Sequence, residues 1–445
     1  MLMRRILYDL TYAGRGNSGI PRDTRSLATI LGKLNETETS FVTSPSKFAN
    51  LHSKRINLGI LSFSNYISAY FMKRQSFGIK QFRSIVFMLV QAFSPFGKVR
   101  LNKVPEFLEH NVLTKLNLEN ALASNTYFFM DLSYSARFLR PTWYPLHKLN
   151  TKKYDFYIQQ HIDPIRISKK TTHIVRLHDI LPVTYPIFFS NTAVKVFTTS
   201  LKKLLKNKEI VWVMDTKASA DEFRQYFGVE RKVEVIPCVV FSENGRKNSI
   251  NKSLINTFLN VNTIEPRKNI SLLIEAFLSA LDKGQIEKST ILKVVGTYGW
   301  QEDELILKLR KGSFGKNIIF IESPNDSELK RLYSESQFIL SASSAEGFGL
   351  PPLEGMSYGC IPIISDIPQH RETIGENGIY FQLNPESLMT AMEEAVKISS
   401  ESMLQIQENV INYVKNNFSQ DAIANQWNEL LKEIEYQSEK NKKIL

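Results

Sequence analysis

The sequence predicts an α/β protein built from two doubly wound domains. Short apolar strand candidates alternate with segments of helical spacing, which is typical of parallel sheets covered by helices. The alternation occurs in two series, and the polar segment 242–253 separates them. A chain of 445 residues is also too long for one compact core. We therefore predict an N-terminal domain over 1–244, a C-terminal domain over 245–417 and a closing helix over 418–445.

The first series begins with a strand over residues 5–10, a glycine-rich turn over 14–19 and a helix over 23–34. The polar segment 35–40 is predicted to be a loop. Later strands of this series are predicted over residues 127–130, 173–177, 210–213 and 233–236.

The second series has five strand candidates with a helix after each of the first four. The strands are predicted over residues 258–261, 291–295, 318–321, 338–340 and 361–364. The helices are predicted over residues 270–281, 302–309, 326–335 and 352–358.

Composition and charge limit the function classes. Lys and Arg number 56 against 44 Asp and Glu, which gives a net charge of +12 and favours anionic partners. Cys238 and Cys360 are the only cysteines, so a disulfide framework is excluded and a reducing compartment is expected. No apolar run reaches the ~20 residues of a membrane span, and residues 1–10 lack a signal core. We expect a soluble or peripheral protein without a targeting segment.

Two segments of the second series combine charge with a helix start. Arg267 and Lys268 follow its first strand and open a helix, where cations and free amides make an anion site; a solvated helix start is the alternative. Glu346 and Glu354 lie eight positions apart around a glycine-containing loop. The amides of Phe348, Gly349 and Leu350 are there free to face an anion.

Other motifs carry less information. His178 follows a strand of the first series, at the sheet edge where α/β folds bind ligands. Gly14, Gly16 and Gly19 match the spacing of a dinucleotide fingerprint, but the acid expected ~20 residues later would have to be Glu36 or Glu38, in the predicted loop. The sequence has no Asp-x-Asp, His-Glu-x-x-His or Walker motif, so we expect no metal site.

The second series resembles the family-4 (group 1) retaining glycosyltransferases of the GT-B fold, in particular O-antigen and capsule mannosyltransferases. The resemblance is carried, in order, by residues 263–269, 294–300, 325–329, 332–333, 346–354 and 365–372. The first series is similar to the family more loosely, through residues 16–22 and 176–182. The closing segment from Phe418 resembles the family's last helix, which crosses back to the first domain.

This resemblance implies two Rossmann-like domains facing a cleft, with a nucleotide-sugar as donor, GDP-mannose being favoured. The acceptor would be a growing surface polysaccharide or lipid-linked glycan, and no metal or other cofactor would be needed. The residues implied in catalysis are Glu346, Arg267, Lys268 and His178. The residues implied in donor binding are Gly16, Gly19, Gly296, Ser323, Phe348, Gly349, Leu350 and Glu354.

Two alternatives belong to other classes of protein. A nicotinamide-dependent oxidoreductase would use the turn over residues 14–19, and a catalytically inactive relative would bind its partner without turnover. A nucleic-acid partner is not expected. The transferase reading implies a cytoplasmic location, peripheral on the inner face of the cell membrane.

Residues 45–120 fit neither series, and they form the basis of a first prediction. Basic residues there surround the apolar runs 85–90 and 92–96, and apolar-plus-basic helices can lie in an anionic membrane interface. An inserted helical subdomain with a solvated basic face explains the pattern equally well. If the membrane reading holds, the protein should sediment with anionic but not with neutral liposomes, and salt should weaken this binding.

The control for this experiment reverses the charge. Substitution by Glu at four positions, Lys73, Arg74, Lys80 and Arg83, should abolish the difference between the two vesicle types. Equal sedimentation with both types, or no effect of the reversal, would leave an ordinary inserted subdomain.

Overall fold

A computed structural model of the chain describes residues 3–13, 19–43, 98–99, 101–103, 118, 126–130, 147–162, 164–228, 233–240, 256–299 and 302–444. The chain divides into two compact units. The first unit comprises residues 1–178, 189–214 and 229–234, and the second comprises residues 179–188, 215–228 and 235–445. The turn containing Gly16, the polar segment 242–253 and most of residues 45–120 lie outside the described residues.

The strands are β1 Arg4–Asp9, β2 Thr37–Thr43, β3 Lys98–Val99, β4 Leu101–Lys103, β5 Thr126–Met130, β6 His147–Leu149, β7 Phe156–Gln159, β8 Ile165–Arg166, β9 Thr172–Arg176, β10 Val211–Met214, β11 Val233–Val235, β12 Thr257–Ile264, β13 Ile291–Tyr298, β14 Ile318–Glu322, β15 Phe338–Ser341, β16 Ile361–Ser365 and β17 Ile379–Phe381. The helices are α1 Gly19–Lys33, α2 Leu181–Thr184, α3 Asn191–Leu205, α4 Lys217–Phe227, α5 Ile270–Asp282, α6 Asp303–Arg310, α7 Asp326–Glu335, α8 Leu350–Ser357, α9 Pro368–Ile374, α10 Pro385–Val396, α11 Ser400–Phe418 and α12 Gln420–Ile444.

An eight-stranded sheet dominates the first unit, in the order β11-β10-β9-β7-β1-β2-β5-β4. Strands β10, β9, β7, β1, β2 and β5 pair in parallel, and β4 adds to β5 in the antiparallel sense. The strands at its centre are buried, as expected for a parallel sheet with both faces covered. Strands β3, β6 and β8 form a separate small sheet.

One prediction in the first unit is wrong. Residues 35–40, predicted as a loop, contribute most of strand β2, which pairs in parallel with β1 from Arg4 opposite Thr37 onward. The threonines are β-branched and suit a strand, and Thr39 also donates its hydroxyl to the Leu31 carbonyl over 2.6 Å. Because β2 ends at Thr43, Glu38 lies at the amino end of the strand. It is therefore not at the edge where a dinucleotide fingerprint needs its acid.

The second unit contains a six-stranded sheet in the order β14-β13-β12-β15-β16-β17, in which all neighbours are parallel. Helix α5 shows why such elements pack on it. Its residues Ile270, Leu273, Ile274 and Phe277 share one face at helical spacing and are buried. Phe277 meets Phe258 of β12 edge to face at 6.2 Å. The α/β class with doubly wound parallel sheets is confirmed.

Parallel pairing brings the carboxyl ends of these strands to one edge of the second sheet. The segments that follow β12, β14 and β15 therefore begin at the same edge. Close backbone approach occurs there too. A Cβ on Gly296 of β13 would lie 2.2 Å from the Asn262 carbonyl oxygen of β12, so no larger residue fits without a shift.

The chain ends with helices α11 and α12. Residues Ile423, Trp427, Leu430 and Leu431 of α12 are buried, at helical spacing. The helix confirms a closing helical element, while its return to the first domain and the predicted domain boundaries stay predictions. Among the described residues, no helix is both long and apolar enough to cross a bilayer.

Candidate functional site

The site is built on two loops at the carboxyl edge of the second sheet. After β12, a short 3-10 turn over Pro266–Lys268 ends at Asn269, whose φ of 48° is left-handed. The Asn269 side chain donates to the Ala342 carbonyl over 2.9 Å, and the Ser344 amide donates to the Arg267 carbonyl over 2.9 Å. These bonds hold the loop after β12 against the loop after β15.

The two loops bring Glu346 together with Arg267 and Lys268. Lys268 Nζ donates to Glu346 Oε1, and Arg267 Nη1 donates to Oε2 over 3.0 Å. The Nη2 atom of Arg267 lies 2.6 Å from Glu265 Oε1. Glu346 and Lys268 are buried, at 7% and 6% exposure. Three residues that the sequence singled out separately thus form one charged cluster.

The cluster fixes the protonation of its carboxylate. Burial would raise the pKa of Glu346, but the charges of Lys268 and Arg267 outweigh burial and hold that pKa well below its usual range. Burial lowers the pKa of Lys268, and Glu346 opposes this. Glu346 is therefore ionised at neutral pH.

The loop after Glu346 presents hydrogen-bond donors that lack acceptors. Gly349 has φ 82° and ψ 55°, a left-handed conformation that suits glycine, and α8 begins at the next residue. Within the part of the chain that the structure describes, the amides of Phe348, Gly349 and Leu350 donate to no residue. Arg267 Nε is also buried without a partner there. Unpaired donors of this kind can hold an anion.

Glu354 is the fifth residue of α8, and its Oε2 accepts a hydrogen bond of 2.9 Å from the Tyr333 hydroxyl. Tyr333 is buried and stacks on Tyr358 with ring centroids 5.7 Å apart. The aromatic pair therefore fixes one oxygen of this carboxylate. Tyr333 belongs to a segment that carries the family resemblance, but no role was predicted for it, because an ordinary buried tyrosine has the same local pattern.

Gly296 and Ser323 lie together at the ends of β13 and β14. The Ser323 amide donates to the Gly296 carbonyl over 3.1 Å, and Ser323 is exposed with a left-handed φ of 54°. The close approach to Asn262 gives Gly296 a structural reason to be glycine, beside the predicted role in donor binding.

His178 belongs to the first unit and follows β9. Its Nε2 lies 2.9 Å from Gln160 Oε1, while Gln160 Nε2 donates to Asp23 over 2.7 Å. Arg176 Nε also donates to Asp23, over 2.8 Å. Burial would raise the pKa of Asp23, but the charge of Arg176 lowers it. Because Asp23 orients the Gln160 amide, His178 carries its proton on Nε2.

The sequence missed the residues that hold His178, since Asp23, Gln160 and Arg176 come from three distant segments. A charged residue inside an apolar strand, Arg176 in β9, was the available signal. Gly19 also lies in the first unit, as the first residue of α1.

His370 is a second residue that sequence reasoning missed. Its Nδ1 lies 3.0 Å from the Ser365 carbonyl oxygen, so Nδ1 carries the proton. Burial lowers the pKa of His370, which keeps the ring neutral. A Cβ at Gly349 would lie 3.4 Å from this ring. His370 thus packs against the loop that contains Gly349.

Comparison with known proteins assigns this site to a family. Residues 242–417, which contain the whole charged cluster and α8, match the family model of the glycosyl transferases group 1. This segment is a group 1 glycosyltransferase domain. The family predicted from the sequence motifs is confirmed, and the oxidoreductase alternative is not favoured.

Relatives with named activities match parts of this chain. The serotype-specific mannosyltransferase WbdA of Escherichia coli is 33% identical over 156 residues, which are 35% of this chain and 19% of WbdA. The O-antigen chain mannosyltransferase RfbU of Salmonella typhimurium is 27% identical over 221 residues, 48% of this chain and 56% of RfbU. The match with WbdA thus spans about a fifth of that protein.

Solved structures extend the similarity in fold to nearly the whole chain. HepE of Anabaena, solved in complex with UDP and glucose, aligns over 97% of this chain and all of its own with a TM-score of 0.58 and 14% identity. The fold is therefore GT-B, as predicted.

The buried cluster of the glycosyltransferase domain generates a stability prediction. Glu346→Gln should destabilise the second unit by about 3 kcal/mol, because two cations would lose their charged partner inside the protein. Since the folded pKa lies below the ordinary value of 4.5, the advantage of Glu346 is full above that pH and shrinks on acidification below it. Thermal unfolding midpoints at neutral pH and at pH values below 4.5 measure both effects.

The matched control is Glu322→Gln, since Glu322 pairs with Arg310 through two hydrogen bonds at the surface. We expect this control to leave the midpoint nearly unchanged. Equal shifts in the two variants would contradict the role given to burial.

Proposed function

We propose that the protein is a retaining glycosyltransferase that transfers mannose from GDP-mannose to a growing surface polysaccharide or lipid-linked glycan. The observation that carries the proposal is the cluster of Glu346, Arg267 and Lys268 beside a loop of unpaired donors. The family match supports the reaction class. The retaining stereochemistry, the donor and the acceptor are our proposals.

The cluster suits the departure of a nucleoside diphosphate. Negative charge grows on the leaving phosphate during transfer, and preorganised cations in a buried site stabilise such charge strongly. Lys268 and Arg267 are held in place by Glu346 before any ligand binds. The unpaired Arg267 Nε and the amides of residues 348–350 add neutral donors for phosphate oxygens and sugar hydroxyls.

Other parts of the donor would contact residues at the ends of nearby strands and on α8. Glu354, fixed by Tyr333, would accept hydrogen bonds from the ribose hydroxyls, since a carboxylate has two oxygens for a neighbouring hydroxyl pair. Ser323 would flank the base at the end of β14. Gly296 would line the diphosphate at the end of β13.

His178, Gly16 and Gly19 would also take part in donor binding. The proton on His178 Nε2 is engaged by Gln160, which orients the ring. We propose no protein nucleophile. The acceptor hydroxyl attacks the anomeric carbon from the face that the phosphate leaves, the bond to phosphate breaks, and the departing phosphate takes the hydroxyl proton.

WbdA and RfbU are mannosyltransferases, which supports mannose as the sugar, while the UDP bound to HepE keeps UDP-sugars as the rival donors. The acceptor proposal includes a peripheral position on the inner face of the cell membrane, in the cytoplasm, because lipid-linked glycans present their sugars at a membrane surface.

The experiment that tests the function is a thermal-shift panel of GDP, UDP, dTDP and NADH, followed by transfer assays with the matching sugars. A ligand that binds the folded state raises the unfolding midpoint by mass action. GDP is expected to raise it most. A raised midpoint with UDP alone would indicate a UDP-sugar as the donor instead of GDP-mannose. A raised midpoint with NADH alone would overturn the proposal. Nucleotide binding without any transfer would indicate the inactive relative.

We expect transfer to persist in excess EDTA. Arg267 and Lys268 already supply the positive charge that a divalent metal provides in other transferases. Initial rates with and without EDTA measure this directly. A complete loss of activity that magnesium or manganese restores would contradict the metal-independent mechanism.

Lys268→Ala should reduce turnover by about two orders of magnitude, because a buried cation facing the leaving group contributes on the order of 3 kcal/mol to the transition state. The measurement is kcat with saturating donor.

The control for Lys268→Ala is Lys293→Ala, which removes a partly buried lysine of β13 that pairs with Glu335 over 3.3 Å, away from the two loops. Its turnover should stay near that of the wild type. A Lys268→Ala protein that is as active as this control would reject the assignment.

A further inference from the structure

Two buried hydroxyls hold the carbonyl that precedes the proposed donor-binding amides. Thr216 Oγ1 and Ser219 Oγ each lie 3.2 Å from the Gly347 carbonyl oxygen and donate to it. Thr216 is fully buried and Ser219 is 1% exposed. Both residues lie at the start of α4, more than 120 positions from Gly347 in the sequence.

Fixing the Gly347 carbonyl also fixes the direction of the Phe348 N–H. The Gly347 carbonyl and the Phe348 N–H belong to one planar trans peptide, so they point in opposite directions and turn together. Gly347 has no Cβ, so its backbone would otherwise rotate more freely than that of any other residue type. Two hydrogen bonds to the carbonyl therefore fix the direction of the Phe348 N–H, which has no acceptor among the described residues.

Capping of α4 does not require both hydroxyls. Thr216 caps the helix by accepting a hydrogen bond of 3.1 Å from the Ser219 amide, and this bond would remain without the Ser219 hydroxyl. The Ser219 side chain itself satisfies no group of α4 beyond its contact with Thr216 Oγ1. Its proton serves the loop of the glycosyltransferase domain.

The start of α4 is also held by a carboxylate of another helix. Glu372 of α9 accepts hydrogen bonds from the amides of Lys217 and Ala218, over 2.5 and 2.8 Å. A carboxylate at a helix N-terminus satisfies unpaired amides and meets the positive end of the helix dipole. The two hydroxyls therefore approach Gly347 from a fixed support.

We propose that Thr216 and Ser219 are positioning residues for donor binding, which orient the Phe348 amide toward the nucleotide-sugar through the Gly347 carbonyl. Neither residue touches the donor itself. The inference rests on the proposed function and names two further residues of that same site.

Ser219→Ala tests the proposal, because it removes one donor to Gly347 and keeps the helix cap. If the Phe348 amide binds the nucleotide part of the donor, we expect KM for the donor to rise about five-fold. If the amide contacts the reacting sugar, we expect kcat to fall by about the same factor, which corresponds to the loss of one neutral hydrogen bond. Ser219→Thr keeps the hydroxyl and should restore the wild-type values.

The matched control is Ser336→Ala. Ser336 is fully buried and donates to the Leu332 carbonyl over 2.8 Å, away from the loop. Its kinetic constants should match the wild type, and its unfolding midpoint should shift about as much as that of Ser219→Ala. Kinetic constants that differ by less than two-fold between the Ser219→Ala and Ser336→Ala proteins would overturn the proposal.

The wild-type protein separates the two possible failures. If it neither binds a nucleoside diphosphate nor transfers sugar, the proposed function and the positioning role fall together. If it does both, and Ser219→Ala and the double variant Thr216→Val with Ser219→Ala retain wild-type constants, only the positioning role falls.

Discussion

The ion cluster of Glu346 with Lys268 and Arg267 is the interaction on which the rest of the glycosyltransferase domain depends. Burial penalises each of the three charges, and each is tolerable only beside its partner. The loops that carry them must therefore be held rigidly. The Asn269 side chain and the Ser344 amide do this by joining the loop after β12 to the loop after β15. The ion pairs thus require the two loops to be fixed, and the hydrogen bonds between the loops keep the ion pairs in place.

The parallel sheet explains why these residues meet at all. Residues 267 and 346 lie 79 positions apart, yet they follow β12 and β15, which are neighbours in the sheet. Neighbouring parallel strands end at the same edge of the sheet, so the pairing of the strands is enough to make the loops that follow them adjacent. The fold supplies proximity, and the local chemistry of each loop supplies the charges.

Much of this arrangement could be predicted from the sequence. Five of the six strands of the second sheet were predictable as apolar runs, and Arg267, Lys268 and Glu346 were predictable as site residues because they follow two of these strands. Strand β2 was not, because its threonines and Glu38 give a polar pattern, and only the pairing with β1 makes this segment a strand. The network of Asp23, Gln160 and Arg176, and the approach of Ser219 to Gly347, are long-range contacts that no local periodicity encodes.

The charge balance of the site determines how it can attract a donor. Arg267 and Lys268 face two carboxylates, Glu346 and Glu265, so these four groups sum to zero net charge. In the proposed complex, the attraction for the diphosphate before the reaction would therefore come mainly from oriented amides, from Arg267 Nε and from the helix α8 dipole, while the charges of Arg267 and Lys268 would act on the leaving group during transfer. In the proposed transfer, Lys268 would shift its hydrogen bonds from Glu346 toward the leaving phosphate as negative charge grows there. Such an exchange favours the transition state over the bound ground state, which is the requirement for catalysis.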